Sequence, residues 1–167
     1  MKTLLIGKID AHALQLLESK TELQQISNEE FIATASFQDI QAVVLRTYTT
    51  LTSQELDKLP NLKYVVSCSV GLNNLDMQEL KSRNIELIFC PGTNANSVAE
   101  HTLYLMLSLL REDVKMPFAE LKGKTIGIIG LGYIGKLVAQ KLLGFDVKVI
   151  AFDVIEQDQE TLEKLNV

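Results

Sequence analysis

The chain has 167 residues, of which 47% are hydrophobic and 22% charged, and its formal net charge is −5. That length is enough to bury a sizeable core and carries a prior of about one domain. The acidic balance and the absence of Trp exclude the clustered basic surface and the stacking platforms that nucleic-acid binding requires, so no nucleic-acid partner is expected.

In chain order, short apolar runs alternate with amphipathic stretches. Thr3–Gly7 (TLLIG) reads as a strand and is followed by a helix over Asp10–Ser19, with Asp10 as N-cap. A weaker strand is expected near Leu23–Ile26, then one at Ala42–Leu45, a short helix in SQELDKL and a strand in KYVVSC. LDMQELKSR reads as a helix, IELIFC as a strand, and a long helix is expected from about Ser97 to Arg111. A polar connector over 112–124 leads to the strand TIGIIG, a helix over Tyr133–Leu143, the strand VKVIAF and a last helical piece near Glu160–Leu165. Alternating strands and helices imply βα units and a mostly parallel sheet, and continuous Val/Ile/Leu strands imply cover on both faces. Five such units precede the connector and two follow, and a two-strand remainder is a poor candidate for an independent sheet.

Cys68 and Cys90 are the only cysteines, without CxxC spacing or a neighbouring His, so neither a disulfide framework nor a metal site is expected. Each ends an apolar run, which reads as a buried thiol. The apolar stretch before Lys8 is too short for a signal peptide, and Leu103–Leu110 is too interrupted to span a bilayer. A cytoplasmic protein with no membrane partner is the expectation.

The sharpest chemical signal is Gly130-x-Gly132-x-x-Gly135, directly after one strand and opening a helix. The first glycine permits the tight turn, the second lets backbone approach a pyrophosphate, and the third lets helix and strand pack closely. The N–H groups of Tyr133 and Ile134 then face an anion at the positive end of the helix dipole. Asp153 ends the next strand, 18 residues after Gly135, where a carboxylate accepts ribose hydroxyls and repels a 2′-phosphate. That order favours NAD over NADP. The bland alternative is a packing turn, with Asp153 an ordinary helix cap.

KGKTIGIIGLGYIG and CPGTNANSVAEHTLYLMLSLLR, with VLRTYTTL and VSCSVGLNNLD earlier in the chain, resemble the D-isomer-specific 2-hydroxyacid dehydrogenases. That group contains phosphoglycerate, phosphoerythronate, glycerate and D-lactate dehydrogenases. The resemblance covers essentially the whole chain. It implies an α/β architecture: a flavodoxin-like substrate domain at 1–97, then the first half of a Rossmann NAD-binding domain at 98–167. It also implies that the amides of Ser69, Val70 and Gly71 hold a substrate carboxylate, in keeping with an anion-binding nest. Arg46 falls near the substrate phosphate or carboxylate, and Asn94 and Ser97 at the crossing between domains. Ser97 also reads as N-cap of the long helix, with Glu100 completing a capping box. His101 occupies a helix position that is not the family's catalytic histidine, and His12 carries less weight still; both read as structural.

The implied chemistry is hydride transfer between a nicotinamide and a small 2-hydroxy or 2-oxo acid. It needs an arginine for the carboxylate and a histidine paired with a carboxylate for the proton. In the family these follow the ribose-binding acid. Here 14 residues follow Asp153, the last arginine is Arg111 and the last histidine is His101. No catalytic residue is therefore assigned. The leading expectation is the N-terminal part of an NAD-dependent enzyme, inactive as this chain. The alternative is a native non-catalytic module that binds a nucleotide or pairs with another subunit. The family's homodimer is carried over as an expectation, although the connector that usually makes it is short here and lacks Trp.

Overall fold

The apolar runs become strands of two parallel sheets in a computed structural model that describes residues 1–111 and 119–167. Compactness divides the chain into Met1–Pro91 and Gly92–Val167, so the long helix groups with the glycine-rich strand. Most of the expected connector lies outside the described residues.

The first unit comprises β1 (Lys2–Ile6), α1 (Ala11–Lys20), β2 (Glu22–Ile26), α2 (Asn28–Ala33), β3 (Ala42–Leu45), α3 (Ser53–Asp57), β4 (Tyr64–Ser67), α4 (Met77–Ser82) and β5 (Glu86–Phe89). The strands lie in the order β2-β1-β3-β4-β5, all parallel, which is the flavodoxin-like order. Every residue of β3 and the last four of β1 are buried, because central strands are covered on both faces. Leu4, Ile6, Val43, Leu45 and Val65 join Phe31, Leu51, Leu56 and Leu80 in one core. The strands at the two margins, β2 and β5, remain largely open.

Helix starts follow short-range chemistry. Asp10 caps α1 by accepting from the His12 and Ala13 amides, as expected from the sequence. Helix α2 lies outside the expected elements, yet Ser27 and Glu30 form a reciprocal capping box and aim the buried Phe31 at Phe37, 5.6 Å away between ring centres. The S-x-x-E pattern is the signal that points to it.

The second unit comprises α5 (Ala95–Leu109), β6 (Thr125–Ile129), α6 (Tyr133–Leu142), a 3-10 turn (Leu143–Phe145), β7 (Lys148–Phe152) and α7 (Gln159–Leu165). Strands β6 and β7 pair in a sheet of their own, in register from Thr125↔Lys148 to Ile129↔Phe152. Their separate sheet corrects the expectation for a two-strand remainder. Support comes from one side: Val149, Ile126 and Ile128 pack with Ala99, Val138, Ala139, Leu142 and Leu165. The other face carries Ile129 and Phe152, which are 91% and 67% exposed.

Two local expectations are also corrected. Both cysteines are exposed rather than buried, because each lies just past the end of its strand. Ser97 does not cap α5, whose N-cap is Asn94. Glu100 instead accepts from Asn96 Nδ2 at 2.9 Å and faces Lys141 Nζ at 3.4 Å, tying α5 to α6.

Candidate nucleotide and carboxylate sites

The glycine-rich turn joins β6 to α6, and each glycine meets a different physical demand. Gly130 has φ +94°, a left-handed conformation that strains any residue with a Cβ. Gly132 is the N-cap of α6, and a Cβ built on it would meet nothing within 4 Å. Gly135 is the tightest: its Cβ would stand 2.1 Å from the Gly130 carbonyl oxygen and 3.3 Å from Ile128 Cγ2. No side chain larger than hydrogen fits between that helix and that strand.

Tyr133 and Ile134 open the helix, and both reach solvent. The Tyr133 ring lies over the backbone of Gly92, where a Cβ would meet Tyr133 Cγ at 3.0 Å. Asp153 follows β7, beside the turn. One carboxylate oxygen accepts from the Ile155 amide at 2.9 Å, and the other accepts from the Leu131 amide inside the turn. These two donors, Ile155 first, hold its pKa below the ordinary carboxylate range. A cleft of about 270 Å³ adjoins it, lined by Leu131, Ala151, Asp153, Ile155 and Leu162 among others. Thus the fold gathers Gly130, Gly132, Tyr133, Ile134, Gly135 and Asp153 at one end of the two-stranded sheet.

The fit of a dinucleotide can be judged on these features. Open space over Gly132, a helix N-terminus beneath it and a fixed carboxylate at the next strand end match a pyrophosphate and its adenosine ribose.

The second group of residues lies in the first unit, at the C-terminal ends of β3 and β4. In open α/β sheets, ligand crevices form outside these ends, at the point where strand order reverses, here between β1 and β3. Arg46 follows β3, is exposed, and enters no ion pair among the described residues. Ser69 follows β4, and its hydroxyl accepts from the Thr47 amide at 3.1 Å, joining the Arg46 segment to the Ser69–Gly71 turn. Among the described residues, the amides of Ser69, Val70 and Gly71 have no backbone acceptor, so they remain available to an anion.

Residues missed from the sequence hold this arrangement. Asn74 Nδ2 donates to the carbonyls of Thr49 at 2.6 Å and Arg46 at 3.4 Å. The buried Thr49 hydroxyl donates to Asn28 Oδ1, and the Leu51↔Leu75 bridge closes the two loops against each other. Tyr48 covers Gly7, where a Cβ would meet its hydroxyl at 1.9 Å. The NN of GLNNLD is the available signal for a side-chain staple. His101 is gathered into neither group; its ring stacks on Tyr104 on the surface of α5, 5.7 Å between centres.

A parallel α/β chain with a glycine-rich strand–helix turn and a carboxylate ending the next strand is of Rossmann-like class. Comparison with known proteins is more specific. Residues 3–165 match the family model described as D-isomer specific 2-hydroxyacid dehydrogenase, catalytic domain, and the chain belongs to that family. It is 34% identical over 161 residues to hydroxypyruvate reductase of Thermotoga maritima, covering 87% of this chain and 53% of that protein. It is 33% identical over 155 residues to glyoxylate reductase of Thermofilum pendens, covering 81% of this chain and 45% of that protein. The crystal structure of the TT0316 protein from Thermus thermophilus superposes with a TM-score of 0.85 at 21% identity, over 99% of this chain and 61% of that one; this likeness speaks to fold alone. The chain spans about half the length of such relatives.

Proposed function

We propose that this chain carries the N-terminal part of an NAD-dependent D-2-hydroxyacid dehydrogenase. Gly130, Gly132, Tyr133, Ile134 and Gly135 hold the pyrophosphate, and Asp153 holds the adenosine ribose. Arg46 and the amides of Ser69, Val70 and Gly71 hold the carboxylate of a small 2-hydroxy or 2-oxo acid. NAD, when bound, supplies the hydride acceptor; the residues of this chain bind and orient. The observation that carries the cofactor assignment is Asp153, whose carboxylate is anchored on the amide of Leu131, within the turn itself. An anion fixed there accepts two ribose hydroxyls and repels a 2′-phosphate.

Hydride transfer also needs a proton-moving histidine and a carbonyl-polarising arginine. His101 lies on the surface of α5, and neither residue type occurs after Arg111. We infer that this 167-residue polypeptide alone binds without turnover. Titration with NADH should show saturable binding, weakened at least tenfold by Asp153→Ala and weaker for NADPH than for NADH. Equal affinity for both nucleotides, or 2-oxo-acid-dependent NADH oxidation by the purified chain, would overturn the corresponding part of this reading.

A further inference from the structure

The two cysteines, 22 residues apart in the chain, each directly follow one of two strands that pair with each other. Strands β4 and β5 are parallel and paired in register from Tyr64↔Glu86 to Ser67↔Phe89, and Cys68 and Cys90 are the residues that follow that last pair. Paired strands run about 4.8 Å apart, so the two segments that leave this last pair start close together. Disulfides span Cα separations of about 4.4–6.8 Å. Both side chains reach solvent. The thiols also feel each other: Cys68 is pushed above the ordinary cysteine range, first by desolvation and then by Cys90, while the Arg46 charge opposes the rise.

Cys68 is anchored inward, its amide donating to the Leu45 carbonyl at 2.9 Å. Among the described residues, strand β5 is the last in its sheet and ends at Phe89.

We propose that Cys68 and Cys90 form a reversible oxidation site, at which a small disulfide oxidant of the glutathione class closes an intramolecular bond across the ends of β4 and β5. The thiolate of Cys90 attacks one sulfur of oxidised glutathione, breaking its S–S bond and releasing one glutathione thiolate. The thiolate of Cys68 then attacks the Cys90 sulfur of the mixed disulfide and releases the second glutathione. Two protein thiols are oxidised, one glutathione disulfide is reduced to two thiols, and the two thiol protons pass to the released glutathiones. Cys68 suits the second step, since its raised pKa is offset by proximity once the mixed disulfide has formed. The bond would tie Ser69, the first residue of the anion-facing turn, to the end of β5, two residues before Gly92.

The test is equilibration of the 167-residue chain in mixtures of reduced and oxidised glutathione, followed by acid quenching, thiol counting and intact mass. Oxidation should remove both thiols together and leave a monomer lighter by two hydrogen atoms. Digestion should yield a linked Cys68–Cys90 peptide that dithiothreitol separates. The rate should rise with pH. Cys68→Ser and Cys90→Ser should each retain a single thiol and accumulate one glutathione adduct instead. Two glutathione adducts on the wild-type chain, a disulfide-linked dimer, or thiols that survive excess oxidant in the native chain would each overturn the site. None of these readouts depends on nucleotide or carboxylate binding, so failure here is distinguishable from failure of the functional reading above.

Discussion

The two units solve the same packing problem to different degrees. In Met1–Pro91 the central strands are sealed on both faces: Leu4, Leu5, Val43, Leu45 and Val65 are all fully or almost fully buried. In Gly92–Val167 the strands alternate: Ile126, Ile128 and Val149 turn to the helices, whereas Ile129, Ile150 and Phe152 face solvent. Central strands of a parallel sheet are ordinarily covered on both sides. Local stability follows buried apolar contact, so the first unit should hold its backbone amides against exchange longer than the second. The comparison shows that a glycine-rich strand–helix turn can be fully shaped while, among the described residues, the sheet beneath it is covered on one face.

Substitutions can break this contrast. Leu45→Ala, in the sealed core, should cost about 3 kcal/mol through lost burial and a residual cavity. Urea unfolding followed by amide exchange should show protection lost from β1, β3 and β4 and kept in β6. Gly135→Ala should do the reverse: its Cβ collides with the Gly130 carbonyl, costing about 2 kcal/mol, and loosening should be confined to β6, α6 and the turn. If either variant destabilises both units equally, they are not independent. Asn74→Ala leaves the Thr49 carbonyl without its side-chain donor and should cost about 1 kcal/mol. Its larger effect should be altered amide shifts at Thr47 and Ser69, with the second unit unchanged.

A smaller effect is expected from pH. Asp153 has a folded pKa below its unfolded value of about 3.9, because the Ile155 and Leu131 amides donate to the ionised form. Its contribution to stability is therefore complete above that unfolded value and is lost as pH falls through the lower, folded one. The gap in midpoint between wild type and Asp153→Ala should be constant near neutrality and shrink in acid; a gap that widened in acid would reverse the sign. Smallest of all, Ile129→Thr on the bare face should change stability by no more than about 0.5 kcal/mol, since its side chain is already in water.

Much of this architecture can be read from periodicity and punctuation. The strand Ala42–Leu45 and the start of the helix at Tyr133 match the expected bounds, because a Val-rich run and a glycine turn are local signals. The turn at Gly130 and the close packing at Gly135 are readable for the same reason. What escapes depends on residues far apart in sequence. Cys68 and Cys90 look buried from their apolar neighbours, and only the strand ends show that they have left the sheet. Ser97 and Glu100 have capping-box spacing, but the helix begins earlier, so Glu100 is free to face Lys141 on a different helix. The staple by Asn74 spans 25 residues to Thr49, beyond the reach of any local pattern.

The bond between Asp153 and the Leu131 amide has a consequence for engineering. The same carboxylate that would meet a ligand also supports the loop that shapes the site. Exchanging it for a neutral or basic residue, the obvious move to admit a nucleotide of different charge, withdraws an acceptor from the loop as well as changing the charge. A redesigned preference thus has to be built as a pair of changes: one that recognises the new group and one that gives Leu131 another acceptor.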